Sequence, residues 1–339
     1  MSSNSDKDYV PQLKTLKDIA LEAKEKINEE RFQAQLGLKT RFGKLNTALG
    51  KFFRFKQVTS INGLSGHGKS ALLNMILSDF TNKNLNKEFK KPVIIVHNSF
   101  EMLPVDEVLR KVSSKIEKSH LYLLSSELVV EDNTAKYNTI SDNEFEKISQ
   151  YLEEDIDIDH YYFEHPTNIN GILKNIKASI EFYQEKYSTN EIPKVVVALD
   201  HTLLVEQDKG DGVLDTITKI AKTAIWLKKR GYMVILLGQL NNEIERPERI
   251  KNPDLHFPIK SDIYAQGQLY NACDNVLIIH QPELLGITRY GKNQLDTRSL
   301  VHLQVIKQRF GKVGSIWLEN RFERGQLVEF SPKSYLTKE

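Results

Sequence analysis

A glycine-rich octapeptide at residues 63–70 carries the clearest chemistry in this sequence. It reads GLSGHGKS, which is the G-x-x-x-x-G-K-S pattern of a phosphate-binding P-loop. In such a loop the backbone N–H groups and a helix N-terminus converge on an anion. Lys69 is expected to reach the β- and γ-phosphates, and the Ser70 hydroxyl is expected to bind Mg²⁺. The candidate nucleotide ligands in the loop are Gly63, Ser65, Gly66, His67, Gly68, Lys69, Ser70 and Ala71.

The segments on both sides of the octapeptide are the ones that a P-loop requires. The preceding run, Val58 to Asn62, is short and rich in β-branched residues, which predicts a buried strand. The following run, Ala71 to Leu77, is apolar and predicts a buried helix. This context favours a true phosphate loop over a chance glycine-rich turn. The sequence therefore predicts that the chain binds ATP or another nucleoside triphosphate together with Mg²⁺.

Length and composition describe an ordinary globular protein. The chain has 339 residues, of which 40% are hydrophobic and 27% charged, and its formal net charge is +2. This balance neither requires nor excludes nucleic acid, because a nearly neutral protein can contain a local basic channel. The single cysteine, Cys273, excludes an intrachain disulfide and is expected to be a small core residue. We find no signal peptide and no apolar run of about 18 residues, which predicts a cytoplasmic protein without membrane contact.

Hydrophobic periodicity separates an N-terminal segment, residues 1–36, from the remainder of the chain, residues 37–339. The N-terminal segment has apolar residues at spacings of three and four, which predicts a helix with one apolar stripe that ends near Gly37. The residues of the stripe are Leu13, Leu16, Ala20, Ala23 and Ile27. The helix either lies on its own domain or docks on a neighbouring subunit. The second alternative is the more specific hypothesis, since no segment close in sequence packs beside the helix.

From residue 37 onward, short apolar runs alternate with helical stretches. The long separations between the runs allow crossover helices, so we expect an α/β fold with a mainly parallel sheet that is covered on both faces. The runs are Val93–Val96, Val195–Leu199, Met233–Leu237 and Asn275–Ile279. The final third differs, because it predicts a β-hairpin around residues 310–314 and a last strand at Leu327–Phe330.

Three polar residues follow predicted strands, at the edge where an open parallel sheet binds its ligand. Asp200 closes an apolar run, which is typical of a second Mg²⁺-binding carboxylate, although an aspartate can also cap a helix there. Glu101 follows the run at 93–96 and can activate the attacking water. Gln239 can sense a γ-phosphate through a hydrogen bond. Taken alone, Glu101 and Gln239 are equally well interpreted as surface polar residues.

Six short motifs, in one order along the chain, resemble those of DnaB-type replicative helicases, which belong to the RecA-like ATPases. Residues 99–102 (SFEM) resemble S-L-E-M, residues 238–241 (GQLN) resemble S-Q-L-N, and residues 307–311 (KQRFG) resemble K-Q-R-x-G. The other three motifs are at residues 37–46, 197–204 and 261–276. The resemblance extends from about residue 37 to the C-terminus.

This resemblance implies a RecA-like core that forms a hexamer and binds ATP between subunits. Glu101 would be the catalytic glutamate, and Gln239 would be the γ-phosphate sensor. Lys307 and Arg309 would reach the ATP site of the next subunit, where a guanidinium can stabilise the charge on the phosphate. Without the resemblance, the same two side chains would be interpreted as a solvated hairpin rim.

The resemblance also implies that loops near residues 208–212, 240–260 and 262–268 face a central channel and follow one DNA strand. Such tracking is electrostatic and tolerant of sequence. The candidate DNA contacts are Lys209, Asn241, Asn242, Arg246, Gln266 and Gly267. The chain departs from the family at two places, since YAQG replaces R-E-S-G at 264–267 and Asn242 replaces an arginine. Backbone N–H groups can still bind phosphates there.

The sequence therefore predicts a ring-shaped, ATP-dependent helicase that moves 5′ to 3′ on single-stranded DNA at a replication fork. Primase and a helicase loader are the further partners that the family implies. The family's N-terminal helical domain is not recognisable, which suggests a short phage or plasmid form in the host cytoplasm. Two alternatives stay open, a RecA-like recombination or repair ATPase and an ATP-gated DNA-binding scaffold with little hydrolysis. The motifs at 99–102 and 307–311 argue against the first, and the changes at 264–265 are the only support for the second.

Overall fold

A computed structural model of the chain describes residues 13–31, 36–131, 134–154 and 158–332. In these ranges the helices are α1 (Leu16–Arg31), α2 (Gly43–Ala48), α3 (Lys69–Thr81), α4 (Pro104–Ile116), α5 (His120–Leu123), α6 (Asp142–Glu154), α7 (Ile169–Lys186), α8 (Val213–Lys229), α9 (Pro247–Lys251) and α10 (Gln266–Ala272). The strands are β1 (Gly37–Leu38), β2 (Phe53–Arg54), β3 (Val58–Gly63), β4 (Val93–Ser99), β5 (Leu128–Glu131), β6 (Thr134–Tyr137), β7 (His160–Phe163), β8 (Lys194–Asp200), β9 (Met233–Gln239), β10 (Asn275–His280), β11 (Arg289–Tyr290), β12 (Leu295–Asp296), β13 (Leu300–Gln308), β14 (Gly314–Arg321) and β15 (Gln326–Glu329).

Nine of these strands form one central sheet in the order β15-β14-β13-β10-β3-β9-β8-β4-β7. The strands from β10 to β7 are all parallel to one another. The remaining strands, β13, β14 and β15, are added in antiparallel fashion. The predicted mainly parallel sheet with a C-terminal hairpin is therefore confirmed. Because parallel strands share one direction, their carboxyl ends lie along one edge, called here the carboxyl edge, and their amino ends lie along the opposite, amino edge.

Two hydrophobic clusters cover the two faces of the sheet. Side chains alternate along a strand, so on β9 Ile235 and Leu237 enter one cluster while Val234 and Leu236 enter the other. The first cluster includes the buried side of α3, and the second includes the buried sides of α7 and α8. This double coverage explains why the parallel strands read as continuous apolar runs rather than as alternating ones.

Three parts of the fold differ from the prediction or were not predicted. Gly37 does not end the first helix, because α1 ends at Arg31 and Gly37 pairs with Arg54 in a small sheet. A Cβ at residue 37 would lie 2.0 Å from the carbonyl oxygen of Phe53, so this close backbone approach needs glycine. The edge strand β7 and the helices and hairpin between residues 104 and 154 gave no clear signal in the sequence.

The N-terminal helix presents its apolar stripe to solvent in the single subunit. Leu16 and Ile27 are 82% and 66% exposed, whereas Leu13, which was predicted to lie on the helix, precedes α1 and is 87% exposed. Lys26 lies 5.7 Å from the ring centroid of Phe310 at the tip of the C-terminal hairpin. The division of the chain at residue 36 stays a prediction. Among the described helices, none has the length and apolar character that a membrane span needs.

If the stripe docks on a neighbouring subunit, deletion of residues 1–34 will reduce assembly more than it reduces the stability of each subunit. The reason is that a contiguous apolar band is unfavourable in water until a partner covers it. Light scattering measures assembly, and thermal unfolding measures the stability of the subunit. A matched control replaces Lys17 and Lys24, on the same helix, by serine. Equal assembly of the truncated and full-length chains would assign the helix to its own domain.

Candidate nucleotide-binding site

The P-loop connects β3 to α3 at the carboxyl edge of the sheet, as predicted. Gly66 and Gly68 have φ values of +76° and +92°, in the left-handed region that favours glycine. Lys69 is buried, and its Nζ donates hydrogen bonds to the carbonyl oxygen of Leu64 at 2.9 Å and to Oε1 of Gln239 at 3.2 Å. The loop therefore has the geometry of an anion cradle, and the predicted sensor Gln239 is in direct contact with the P-loop lysine.

Lys69 lies near Glu101 and Asp200, the two carboxylates that were predicted at this edge. Burial lowers the pKa of the Lys69 ammonium, while the charges of Glu101 and Asp200 act in the opposite direction. The three partners come from three strands, because Glu101 follows β4, Asp200 ends β8 and Gln239 ends β9. The structure thus brings together the P-loop, the predicted Mg²⁺ carboxylate, the predicted base and the predicted sensor.

Asp200 fits the role of a metal-binding carboxylate. Its side chain is fully buried, and neither carboxylate oxygen has a hydrogen-bond partner of good geometry among the described residues. Its pKa is raised to about 6, chiefly by burial and also by the charge of Glu101, while the Ser70 hydroxyl and the charge of Lys69 act in the opposite direction. An unpaired buried carboxylate is unfavourable, and a divalent cation would satisfy it.

The residues present suit Mg²⁺ that arrives with phosphates. No group of three or more His, Cys, Asp or Glu side chains in the described ranges could hold a metal ion by itself. Mg²⁺ at phosphate sites is usually bound by one or two protein ligands, phosphate oxygens and waters. Ser70 and Asp200 would supply the protein ligands here.

Glu101 is anchored through its neighbours and keeps its own carboxylate accessible. Phe100 N–H donates to the carbonyl oxygen of Asp200 at 2.8 Å, which fixes the loop against the end of β8. The Glu101 side chain is 44% exposed, and its Oε2 lies 3.7 Å from Nε2 of His201. Burial lowers the pKa of His201, which favours its neutral form. His201 was not singled out from the sequence, although it follows Asp200 directly.

Glu107 is a second residue that the sequence did not reveal. It lies on α4, is 3% exposed, and its Oε1 is 2.5 Å from the Ser99 hydroxyl. The same hydroxyl lies 2.9 Å from the carbonyl oxygen of Met102, so Ser99 holds both ends of the loop that carries Glu101. Burial raises the pKa of Glu107 to about 7. Because the hydroxyl has one proton for two acceptors, a protonated Glu107 lets both contacts be hydrogen bonds.

Lys307 and Arg309 lie at the amino edge, opposite the P-loop. Lys307 pairs with Val276 near the start of β10, and Arg309 Nη1 lies 3.1 Å from Oδ1 of Asp274. Oδ2 of Asp274 accepts a hydrogen bond from the N–H of Val58, the first residue of β3. A strand rises about 3.3 Å per residue, so the length of β3 puts about 20 Å between the two edges. Neither side chain can reach the P-loop of its own subunit.

The predicted DNA loops follow β8 and β9, and two of them form one unit. Asn241 N–H donates to the carbonyl oxygen of Asp262 at 2.7 Å, and Arg249 Nη1 lies 2.6 Å from Oδ1 of the same Asp262. Lys209, Asn242 and Gly267 are exposed, whereas Arg246 is paired with Glu243 at 2.6 Å. The side chain of Gln266 lies outside the described part. The proposed DNA contacts remain predictions.

A comparison of the sequence with known protein families identifies the family of this chain. Residues 37–327 match the family described as DnaB-like helicase C terminal domain. The chain belongs to this family. No curated protein matches the chain by sequence.

Solved structures agree with this DnaB-like assignment. A structure described as an ATPase domain has a TM-score of 0.71 at 17% identity, over 94% of this chain and 100% of that chain. The structure described as "The Structure Of A DnaB-Like Replicative Helicase And Its Interactions With Primase" has a TM-score of 0.69 at 17% identity, over 94% of this chain and 68% of that chain. The predicted RecA-like fold is confirmed, and the family supports a replicative helicase that binds ATP.

Two substitutions in the DnaB-like site are expected to separate binding from chemistry. Lys69→Ala removes the ammonium that holds the phosphates and should abolish both tight nucleotide binding and hydrolysis. Glu101→Gln keeps the shape of the side chain but loses the base, so turnover should fall by about 10²–10⁴-fold while ATP binding is retained. Nucleotide titration and steady-state ATPase assays measure the two effects. Near-normal hydrolysis by Lys69→Ala would refute the phosphate assignment, and equal loss of binding and turnover in Glu101→Gln would indicate a structural role.

Glu107→Gln is expected to stabilise the fold at alkaline pH. Glu107 ionises near pH 4.5 when unfolded and near pH 7 when folded, so wild-type stability falls as the pH rises between these values. The neutral amide avoids this loss, which amounts to no more than about 3 kcal/mol. Urea unfolding at pH 5 and pH 8 should show a gain for the variant at pH 8 only. Glu153→Gln, at an exposed position of α6, is the control and should show no such difference. A variant less stable than wild type at pH 8 would contradict this interpretation.

Proposed function

We propose that this chain is a ring-forming motor that hydrolyses ATP at its subunit interfaces, moves along single-stranded DNA and unwinds the duplex. One observation carries the proposal. The P-loop and the pair Lys307 and Arg309 lie at opposite edges of one sheet, about 20 Å apart by the strand rise. A nucleotide that needs both sets of groups therefore needs two subunits, and a head-to-tail contact of this kind forms a ring when its rotation closes.

Each residue then has a defined chemical role. Lys69 and the backbone of the P-loop hold the β- and γ-phosphates, and Ser70 and Asp200 hold Mg²⁺, which would neutralise phosphate charge when bound. Glu101 orients the attacking water and accepts its proton. Gln239, already in contact with Lys69, reports the γ-phosphate. Arg309 of the adjacent subunit stabilises the charge that develops on the transferred phosphoryl group.

The proposal further includes a hexamer, 5′ to 3′ movement, and primase and a loader as partners. These features are proposed by analogy with the family, and one solved relative is described together with its interactions with primase. Contact with DNA would run through the joined loops at 240–260 and 262–268, through backbone N–H groups and exposed polar side chains. Such contacts bind phosphates without reading bases.

Two other functions make different predictions. A recombination or repair ATPase would exchange strands rather than unwind a fork, and a fork-unwinding assay beside a strand-exchange assay separates them. A nucleotide-gated scaffold would bind ATP and turn it over only slowly. The accessible carboxylate of Glu101, set within 3.7 Å of His201 beside the P-loop, favours hydrolysis over this second alternative. ATPase rates with and without single-stranded DNA decide the question.

If Arg309 acts in trans, mixing two inactive variants will restore activity. Arg309→Ala damages the site of its neighbour, whereas Lys69→Ala damages its own site. In mixed rings some interfaces combine both defects, and the opposite interfaces pair an intact P-loop with an intact arginine. ATP hydrolysis should therefore appear in the mixture, and it should be highest near equal proportions.

The matched control mixes Lys69→Ala with Glu101→Gln. Both of these defects lie on the P-loop side of the interface, so every site in that mixture keeps one defect and no activity should return. Subunit exchange is verified independently by fluorescence energy transfer between labelled chains. Near-zero hydrolysis at all ratios of Lys69→Ala and Arg309→Ala, with exchange established, would remove the arginine assignment.

A further inference from the structure

One aromatic ring contacts both Lys260, which precedes the predicted DNA loop at 262–268, and Lys307, which the proposed function assigns to the neighbouring subunit. Lys307 Nζ donates to the carbonyl oxygen of Tyr270 at 2.5 Å and lies 4.7 Å from the centroid of the Tyr270 ring. Lys260 Nζ lies 4.4 Å from the same centroid. Lys260 begins the short turn that leads into the loop, and Lys307 is the penultimate residue of the strand that leads to Arg309. The Tyr270 ring thus contacts two lysine side chains, one that precedes the predicted DNA loop and one on the strand that leads to Arg309.

Packing orders the Tyr270 ring on the helix that carries it. The ring packs against the cluster that covers one face of the sheet, and Tyr270 lies within α10. A lysine side chain has several rotatable bonds and loses much conformational freedom when it is ordered. The carbonyl oxygen and the ring of Tyr270 together hold the Lys307 side chain in one conformation. A cation over a tyrosine face at these distances is a favourable contact.

The helix α10 leads from the nucleotide sensor towards the amino edge. Just before it, the N–H of Tyr264 donates to the carbonyl oxygen of Gln239 at 2.9 Å, and Ile263 forms a β-bridge with Leu240. Just after it, Asp274 holds Arg309. The segment from 263 to 274 therefore contacts Gln239 and Leu240 at one end and Arg309 at the other. It also contains most of the predicted DNA loop.

We propose that Tyr270 is a positioning residue that transmits the state of the 262–268 loop to Lys307, and so makes hydrolysis in the neighbouring subunit depend on DNA. This inference rests on the proposed function, in which the loop contacts single-stranded DNA and Lys307 acts in trans. When DNA shifts the loop, α10 and its ring shift with it, and the ammonium of Lys307 follows the ring. Lys260, which precedes the loop and contacts the same ring, couples the position of the loop to that of the ring.

The first test compares two substitutions of Tyr270 in the full-length chain. Tyr270→Leu removes the ring and keeps an apolar side chain, whereas Tyr270→Phe keeps the ring. The measured quantity is the ratio of the ATPase rates with and without a thymidine oligonucleotide. Tyr270→Leu should lower this ratio by a factor of about 2 to 30, the range that a cation–π contact supplies. Tyr270→Phe should keep the wild-type ratio, and Tyr137→Leu, on the exposed β5–β6 hairpin, should change neither rate.

The second test is a double-mutant cycle with Lys260→Gln. Residues that act through one contact give non-additive effects. If Lys260 acts through the ring, Lys260→Gln lowers the DNA stimulation by itself but lowers it no further when Tyr270→Leu is already present. Binding of the oligonucleotide, measured by fluorescence anisotropy, shows whether a smaller ratio reflects lost coupling or lost DNA affinity.

The outcomes separate this inference from the proposed function. A wild-type chain whose hydrolysis ignores DNA overturns both. A wild-type chain that is stimulated by DNA, with Tyr270→Leu stimulated to the same extent, overturns only the role of Tyr270. Additive losses in the cycle, or a loss in Tyr270→Leu that follows entirely from weaker DNA binding, also overturn it. If Tyr270→Leu does not assemble, unchanged stimulation in Lys260→Gln or lost stimulation in Tyr270→Phe decides against the inference.

Discussion

The common direction of the parallel strands is the constraint on which the rest of this structure depends. Because these strands run in one direction, every loop that follows one of them lies at the same edge, and the P-loop, Asp200 and Gln239 therefore meet there. The antiparallel return of β13 carries Lys307 and Arg309 to the opposite edge. The polarity of a single sheet thus separates the P-loop from Lys307 and Arg309, and under the proposed function a second copy of the chain brings the two sets of groups together.

Short sequence patterns were sufficient to predict those parts of the fold that depend on residues adjacent in the chain. The P-loop was predicted in detail because its glycines must adopt left-handed conformations and its flanking apolar runs are buried on both faces. The parallel strands are predictable because they too are buried on both faces, whereas the hairpin strands β13 and β14 are predictable from the glycine-containing turn at residues 310–314. Cys273 is buried, as the sequence predicted.

The parts that could not be predicted depend on contacts distant in sequence. Gly37 resembles a helix stop, and only its pairing with Arg54 shows why glycine is required. The edge strand β7 is half-buried and lacks the apolar run of an inner strand. Glu107 looks like any helical glutamate until the fold buries it against Ser99. Glu101 and Gln239 could be located after predicted strands, but only the family resemblance favoured a site role over a surface role, since burial and contacts are not visible in the sequence.

The carboxylate of Asp274 has a consequence for the energetics of the proposed ring. It is buried and is shared by the N–H of Val58, by the ammonium of Lys228 at 2.9 Å and by Arg309 at 3.1 Å. A buried charge left without a partner is strongly destabilising, which would normally prevent an ion pair of this kind from opening. If Arg309 leaves Asp274 for a neighbour's nucleotide, as the proposed function requires, the carboxylate keeps the cation of Lys228 and the backbone donor of Val58. Under that proposal Arg309 is an exchangeable counter-ion, and its departure leaves the strand that leads into the P-loop with its charge partner.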